Sequence, residues 1–178
     1  LTWTAIDVHG NQSTAVQTIT VSDTEKPTIT APAAYSMVND PGQCSATISN
    51  IGTPVTGDNC EVASVSNDHA SNIYPVGTTV VTWTVTDIHG NSNTCTQKVT
   101  VTDTELPTIV AAPDVSVNND NGQCAASITL TATATSDNCG VAGLTNAHVS
   151  PSFSVGTTIV TWTVTDIHGI TITTTQNV

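Results

Sequence analysis

The stretch Val81-Thr82-Trp83-Thr84-Val85-Thr86-Asp87-Ile88-His89-Gly90-Asn91 decides the fold. Its first six residues alternate apolar and hydroxyl side chains, the pattern of a strand with one face in a core and the other in water. Asp87 to Asn91 then supplies turn chemistry, and Thr94 to Thr102 alternates again, so the segment reads as an antiparallel hairpin. A Trp on the apolar face of such a strand is a core anchor. The same wording stands at 1–11 (LTWTAIDVHGN) and at 160–169 (VTWTVTDIHG).

Working outward from this hairpin, every landmark returns at 79 or 80 residues. VSDTEKPTI at 21–29 returns as VTDTELPTI at 101–109, NDPGQC at 39–44 as NDNGQC at 119–124, GDNC at 57–60 as SDNC at 136–139, and PVGTT at 75–79 as SVGTT at 154–158. A fixed period of this length marks a repeat array. Leu1 aligns with Val81, so the expected organisation is a C-terminal hairpin of a preceding repeat at 1–22, one repeat at 23–102 and a second at 103–178. Roughly seven short strands per repeat, with turn signals every 8 to 12 residues, describe an immunoglobulin-like β-sandwich. Linkers such as Val101-Thr102-Asp103-Thr104-Glu105 contain no flexible Gly/Ser spacer, which places the sandwiches end to end.

Composition agrees with an all-β chain. Of 178 residues, 36 are Thr and 22 are Val, whereas Leu contributes four and Glu three, a profile rich in β-branched residues and poor in helix formers. Fourteen acidic residues against two basic ones give a formal charge of −12, which repels phosphate backbones and anionic lipid. Nucleic acid is therefore excluded as a partner. No apolar run approaches the length of a membrane span, and Leu1 opens on a strand pattern, so direct membrane insertion is not expected and the sequence reads as an interior window of a longer chain.

The ordered set GQC, DNC, VGTTVVTWTVTD-x-HGN and VTVTDTE-x-P resembles the hyalin repeat (HYR) family of immunoglobulin-like modules over essentially the whole sequence. The resemblance implies an extracellular, non-catalytic module used in tandem in adhesive and cell-surface proteins. Its partners would be neighbouring repeats of the same chain or copies of itself in a fibre. One departure is that a frequent Cys-Pro near the repeat start reads Ala31-Pro32 and Ala112-Pro113. With that thiol absent the second repeat holds only Cys124 and Cys139, so parsimony pairs these two and, by repetition, Cys44 with Cys60. Such a local closure is worth about 3 kcal/mol in an oxidising compartment. Cys95 is left as an unpaired thiol, either a vestige of the lost partner or one half of an intermolecular bridge.

The acidic residues suggest a cation. In a sandwich of this kind the linker Asp23-Thr24-Glu25 and the hairpin turn at Asp87 lie at one end, as do Asp103-Thr104-Glu105 and Asp166 in the next repeat. Carboxylates that converge there repel one another without a counter-charge, and Ca²⁺ coordination by oxygen is the usual remedy. Asp58 with Asn59, and Asp137 with Asn138, are further expected ligands. The competing reading makes these residues plain turn formers. The two expectations also conflict internally: if Cys60 folds back beside Cys44, Asp58 is carried to the opposite end from Asp87.

His9, His89 and His168 occupy one turn position three times, which is an architectural place and not a hydrolytic triad gathered in a pocket. With no phosphate loop, CxxC or HExxH, the chain reads as a non-enzyme. The leading expectation is a structural segment of a surface protein, adhesin stalk or filament with Ca²⁺-stiffened junctions. The alternative is an adhesion module that recognises a glycan or protein ligand through its loops. Six aromatic residues, three of them the Trp anchors, argue against a strong carbohydrate site.

Overall fold

The computed structural model describes residues 1–131 and 134–178. Every regular element among them is a strand. The long hairpin expected from the sequence is formed by Gly77–Asp87 and Ser92–Thr102, paired antiparallel with Trp83 opposite Cys95 and Val101 opposite Gly77. Val62–Asn67 adds antiparallel to the first of these strands, and Tyr35–Val38 adds parallel to the second, which completes a four-stranded sheet. Facing it are two short pairs, Thr28–Thr30 with Val55–Gly57 and Ser45–Thr47 with Ile73–Pro75.

The same plan recurs downstream. Val141–Asn146, Ile159–Asp166 and Thr171–Asn177 form a three-stranded antiparallel sheet, faced by Thr108–Ile109 with Thr135–Ser136 and Ala125–Ser127 with Ser152–Ser154. All of these pairings stay within 28–102 or within 108–177. The architecture is all-β and consistent with an immunoglobulin-like sandwich.

The strict alternation fixes which side chains are inside. Val81, Trp83 and Val85 point inward from one strand, Val99 and Val101 from its partner, and Ala46, Ile48 and Tyr74 from the opposite layer. Val160, Trp162 and Val164 repeat the arrangement. An indole carries one N–H donor that an apolar core cannot satisfy. Trp83 Nε1 donates to Gln97 Oε1 at 3.0 Å, and Gln97 Nε2 in turn donates to the carbonyls of Ala33 (2.8 Å) and Ile51 (2.7 Å). Trp162 donates likewise to Gln176, which donates to the Pro113 carbonyl. A buried Gln fourteen residues after Trp83 and after Trp162 thus ties each hairpin to the neighbouring backbone.

The hairpin of Thr2–Ile6 and Gln12–Val16 has the same register and the same Trp3 to Gln17 bond, at 3.1 Å. Trp3 is nevertheless 62% exposed where Trp83 is 7% exposed. Identical local sequence therefore makes the hairpin in both places, and burial comes only from the facing layer.

Both Val62–Asn67 and Val141–Asn146 enter their sheets through a β-bulge, at Val62/Ser64 and at Val141/Gly143. Just before the bulge the backbone takes a positive φ, 123° at Gly140 but 134° at Glu61, a region where a side chain is strained.

Two stability outcomes follow from these features. Gln97→Leu strands the Trp83 N–H and two carbonyls, so chemical denaturation should show a loss of about 2–4 kcal/mol, whereas Gln17→Leu in the exposed hairpin should shift the midpoint by less than about 0.5 kcal/mol. Glu61→Gly should raise stability by about 1 kcal/mol by relieving the strained backbone, and a lower melting temperature for that variant would show that no strain resides there.

Candidate functional site

Strand geometry sorts the polar residues into two ends. Asp87 closes Gly77–Asp87 on the same face as Val81, Trp83 and Val85, so the core pattern delivers a carboxylate inward at the last position, 2% exposed. The tight turn after it is built on that carboxylate. Asp87 Oδ1 accepts from the N–H of His89 (2.8 Å) and of Asn91 (2.9 Å), and Oδ2 accepts from Asn91 Nδ2 (2.8 Å). Asp7 makes the same three bonds in the first hairpin.

Two further carboxylates arrive from other parts of the chain. Asp23, in the linker, accepts the Glu25 N–H at 3.1 Å, and Asn91 Nδ2 reaches the Asp23 carbonyl at 3.4 Å. Asp58 caps its loop by accepting the N–H groups of Cys60 (2.8 Å) and Glu61 (3.1 Å) through Oδ2. The Glu61 carbonyl then takes the Ile88 N–H, which clamps this loop against the hairpin turn. Asp23, Asp58 and Asp87 each contribute an oxygen to a group whose members all lie within 4.8 Å of one another. Asp23 Oδ2 and Asp58 Oδ1 are buried with no hydrogen-bond partner among the described residues. His89 Nδ1 stands 3.3 Å from that Asp23 oxygen without the alignment of a hydrogen bond.

The second cluster is its copy. Asp103, Asp137 and Asp166 share a group of the same size. Asp137 Oδ2 accepts from the N–H of Cys139 and Gly140, and Asp166 Oδ1 from those of His168 and Ile170. Ile170 stands where the first turn has Asn91, so Asp166 Oδ2 loses its side-chain donor. Asp166 Oδ2 and Asp137 Oδ1 are buried without partners, as is Asn138 Oδ1. His168 Nδ1 lies 3.0 Å from Asp103 Oδ2.

These groups suit a hard cation. Oxygens bound to one Ca²⁺ at about 2.4 Å can be no more than about 4.8 Å apart, and in both clusters the three carboxylate oxygens lie within that limit of one another. Each cluster brings three carboxyl groups together in a chain that has only two Lys or Arg residues. A softer set, Asp23 with Cys60 and His89, has the downstream counterpart Asp103, Cys139 and His168. There Cys139 is held in a disulfide and offers no thiolate, so only the all-oxygen set can bind in both places.

Hydrogen bonding favours the charged form of Asp87 and Asp23. For Asp87, burial opposes ionisation, but the side-chain and backbone donations from Asn91 prevail and hold its carboxyl below the usual 3.8. Asp23 is held low chiefly by the Glu25 N–H.

Glu25 and Glu105 lie outside both groups. Glu105 Oε1 accepts the Gly42 N–H at 2.6 Å, a bond that crosses the junction. The turn 39–44 makes several such bonds. Asn39, buried, accepts the Thr104 N–H through Oδ1 at 3.1 Å, and Asn138 Nδ2 donates to the Gln43 carbonyl at 2.9 Å.

The disulfide pairing expected from the sequence is corrected here. Cys44 bonds to Cys139, and Cys60 and Cys124 are free. The reason is strand length. The Cys44 carbonyl accepts the Val76 N–H at the Gly77 end of the long strand, whereas Cys60 precedes Val62, which lies opposite Asp87 at the other end. Ten residue steps of extended chain separate those ends by about 33 Å, and a disulfide needs Cα atoms within about 7 Å. Cys124, beside Val155, is kept from Cys139 in the same way. The correction also removes the conflict between bridge and ligand set: with Cys60 released from Cys44, Asp58 stays beside Asp87. Cys95 packs against the core, and burial pushes its thiol pKa up.

The Gln partners of the Trp residues, and the bonds of Asn39 and Asn138 across the junction, were not singled out by sequence reasoning. The signal was present in the repeat: Gln17, Gln97 and Gln176 each follow a Trp by fourteen residues.

Comparison with known proteins accords with this geometry. Residues 22–101 match the HYR domain family. The chain is 32% identical to Hyalin of Strongylocentrotus purpuratus over 184 residues and 30% identical to Hyalin of Lytechinus variegatus over 173 residues, in each case across 92% of its own length. It spans 14% and 33% of the length of these two relatives.

Because Asp23 and Asp87 have folded pKa values below the unfolded 3.8, their contribution to stability is present above pH 3.8 and is lost as the pH falls through the folded values. Melting temperatures measured in chelator should therefore drop on acidification below pH 3.8, and Asp87→Asn should flatten that drop. A profile unchanged by the substitution would mean that Asp87 does not couple folding to protons.

Proposed function

From the premise that the chain belongs to the HYR domain family, we propose that it is a non-catalytic structural segment of an extracellular surface protein, a stalk or filament whose modules lie end to end and whose junctions are stiffened by Ca²⁺. The observation that carries this reading is the pair of three-carboxylate groups, each holding buried oxygens without a hydrogen-bond partner. A buried carboxylate oxygen without a donor is costly unless a cation faces it.

Each group draws its members from the linker, the D-N-C loop and the D-x-H-G turn. A cation held there would fix the linker to the module that follows it. At the described junction the preceding module holds the same linker through Asn39 and Gly42, so both sides of the linker are gripped. The ion's contribution would be neutralisation of the carboxylates and a fixed angle between modules. The residues of the chain do the rest: Asp58 and Asp137 shape their loops by accepting backbone N–H groups, and Asp87 and Asp166 shape their turns.

An extracellular setting fits the Cys44–Cys139 disulfide, since such bonds persist where the surroundings are oxidising. A rod also agrees with a net charge of −12, because like charges spaced along a chain favour extension.

The test is thermal melting of the parent and of an Asp58→Asn/Asp137→Asn variant, each in millimolar Ca²⁺ and in excess chelator. Ca²⁺ at a hundred times its Kd should stabilise the parent by about 2.7 kcal/mol, and the variant should lose most of that gain. In chelator the order should reverse, with the variant at least as stable as the parent, because substitution removes repulsion that nothing then offsets. Equal melting temperatures in all four conditions would reduce these aspartates to turn residues. Small-angle scattering in Ca²⁺ should give a rod, and a compact pair of modules would contradict the end-to-end arrangement.

A further inference from the structure

The Cys44–Cys139 bond joins a G-Q-C turn to the D-N-C loop of the following repeat. Each half of that bond has a twin that is free. Cys124 repeats Cys44: it ends the same turn, its carbonyl accepts the Val155 N–H as that of Cys44 accepts the Val76 N–H, and Asn119 Nδ2 donates to the Gln123 carbonyl as Asn39 does to that of Gln43. Cys60 repeats Cys139: its N–H is held by Asp58 at 2.8 Å as that of Cys139 is by Asp137 at 2.9 Å. Asn59 Nδ2 lies 3.5 Å from Cys60 Sγ where Asn138 Nδ2 lies 3.7 Å from Cys139 Sγ. Both free thiols are exposed.

The groups that grip across the described junction are duplicated as well. On the turn side, Asn39 and Gly42 are matched by Asn119 and Gly122. On the loop side, Asn138, Thr104 and Glu105 are matched by Asn59, Thr24 and Glu25. One surface of the pair is thus repeated beyond each side of the junction, its chemistry intact and its counterpart outside these 178 residues. Such a heterologous contact, in which a surface on one unit meets a different surface on the next, propagates from unit to unit wherever the rotation between them does not close a ring.

We propose that Cys60 and Cys124 are open halves of the same inter-repeat staple, Cys60 bonding to the G-Q-C cysteine and Cys124 to the D-N-C cysteine of further copies of this repeat, so that covalent bonds run from module to module. The bond forms when two thiols give up two protons and two electrons. A disulfide oxidant of the compartment, such as oxidised glutathione, accepts them and is released as two thiols. Each staple closes on side chains already placed by the Asp-capped loop and the G-Q-C turn, so little ordering is needed.

The inference rests on the reading of the chain as one stretch of an array, and its test separates the two. Residues 23–80 are fused ahead of Leu1 in the 178-residue chain, which completes the repeat that the 1–22 hairpin ends. The protein is refolded with oxidised and reduced glutathione, alkylated without reduction and mapped by mass spectrometry of its peptides. The expected result is native Cys44 bonded to Cys139, and Cys60 bonded to the added copy of Cys44. Cys124 and the added copy of Cys60 should remain open and link chains into a ladder on non-reducing gels. Single Cys124→Ser should abolish the ladder and leave the internal bonds.

The Cys44–Cys139 bond serves as the folding control. If it forms while Cys60 is alkylated as a free thiol, or while Cys60 pairs with native Cys44 in part of the sample, the staple proposal fails. Should that chain still scatter as a rod, the end-to-end reading survives the loss. A Cys60 bond to the added cysteine in a chain that scatters as a compact body would sustain the staple and reject the rod.

Discussion

An indole N–H inside a core of Val and Ala is the constraint on which the rest of this structure depends. Trp83, and Trp162 in the second sandwich, is the largest side chain of its core, yet its donor must be met before it can be buried. Gln97 meets it from the adjacent strand and then donates its own amide to the backbone at Ala33 and Ile51. That chain of bonds works in only one register, because a slip of one residue would turn either Trp83 or Gln97 to the opposite face. Register in turn decides where the strand stops. With Trp83 fixed, Asp87 falls four residues later on the same inward face, and its carboxylate is delivered to the mouth of the core.

A carboxylate so delivered has two demands on it. Asn91 and the turn N–H groups satisfy part of it, and these bonds hold the turn. The rest faces Asp23 and Asp58. Such an arrangement is unfavourable in isolation, since like charges at this range repel and the chain has scarcely any cation with which to answer them. Its repetition at Asp103, Asp137 and Asp166 shows that the fold keeps the arrangement wherever the linker, loop and turn meet. Natural folds tolerate unfavourable charge of this kind where a ligand offsets it, and this is why the proposed cation belongs to the architecture and not to a decorated surface.

Much of this was legible before any coordinates. Alternation around Trp83 specified the strands and their inward face, and the 79- or 80-residue period specified that the plan recurs. What the sequence could not deliver was distance along the sandwich. Cys44 and Cys60 are close in sequence but lie at opposite ends of a strand about 33 Å long, so pairing by parsimony and repetition suggested a bridge that the strand forbids. The same blindness set Asp58 against Asp87 when both belong to one end. Glu25 and Glu105 look like ligands in a row of acidic residues, but the Glu105 side chain turns back to Gly42. Gln97 was readable from its fixed offset to Trp83, though amide side chains rarely announce a core position.

The proposed stiffness between modules rests on how few degrees of freedom the linker retains. Asp103 to Leu106 is too short to swing freely, and Pro107, buried, fixes the backbone beyond it. On one side Asn39 and Gly42 hold Thr104 and Glu105; on the other, Asp103 is drawn into the carboxylate group. The Cys44–Cys139 bond then spans 95 residues of sequence, yet every strand pair of the two sandwiches is made without it. Its effect on either sandwich alone is therefore small, and its main effect is on their relative orientation. Hydrogen bonds weaken with bending, charges are screened over about 8–10 Å at physiological salt, and a covalent bond does neither. In the proposed array, a junction that combines the three would resist bending, twisting and separation by different means.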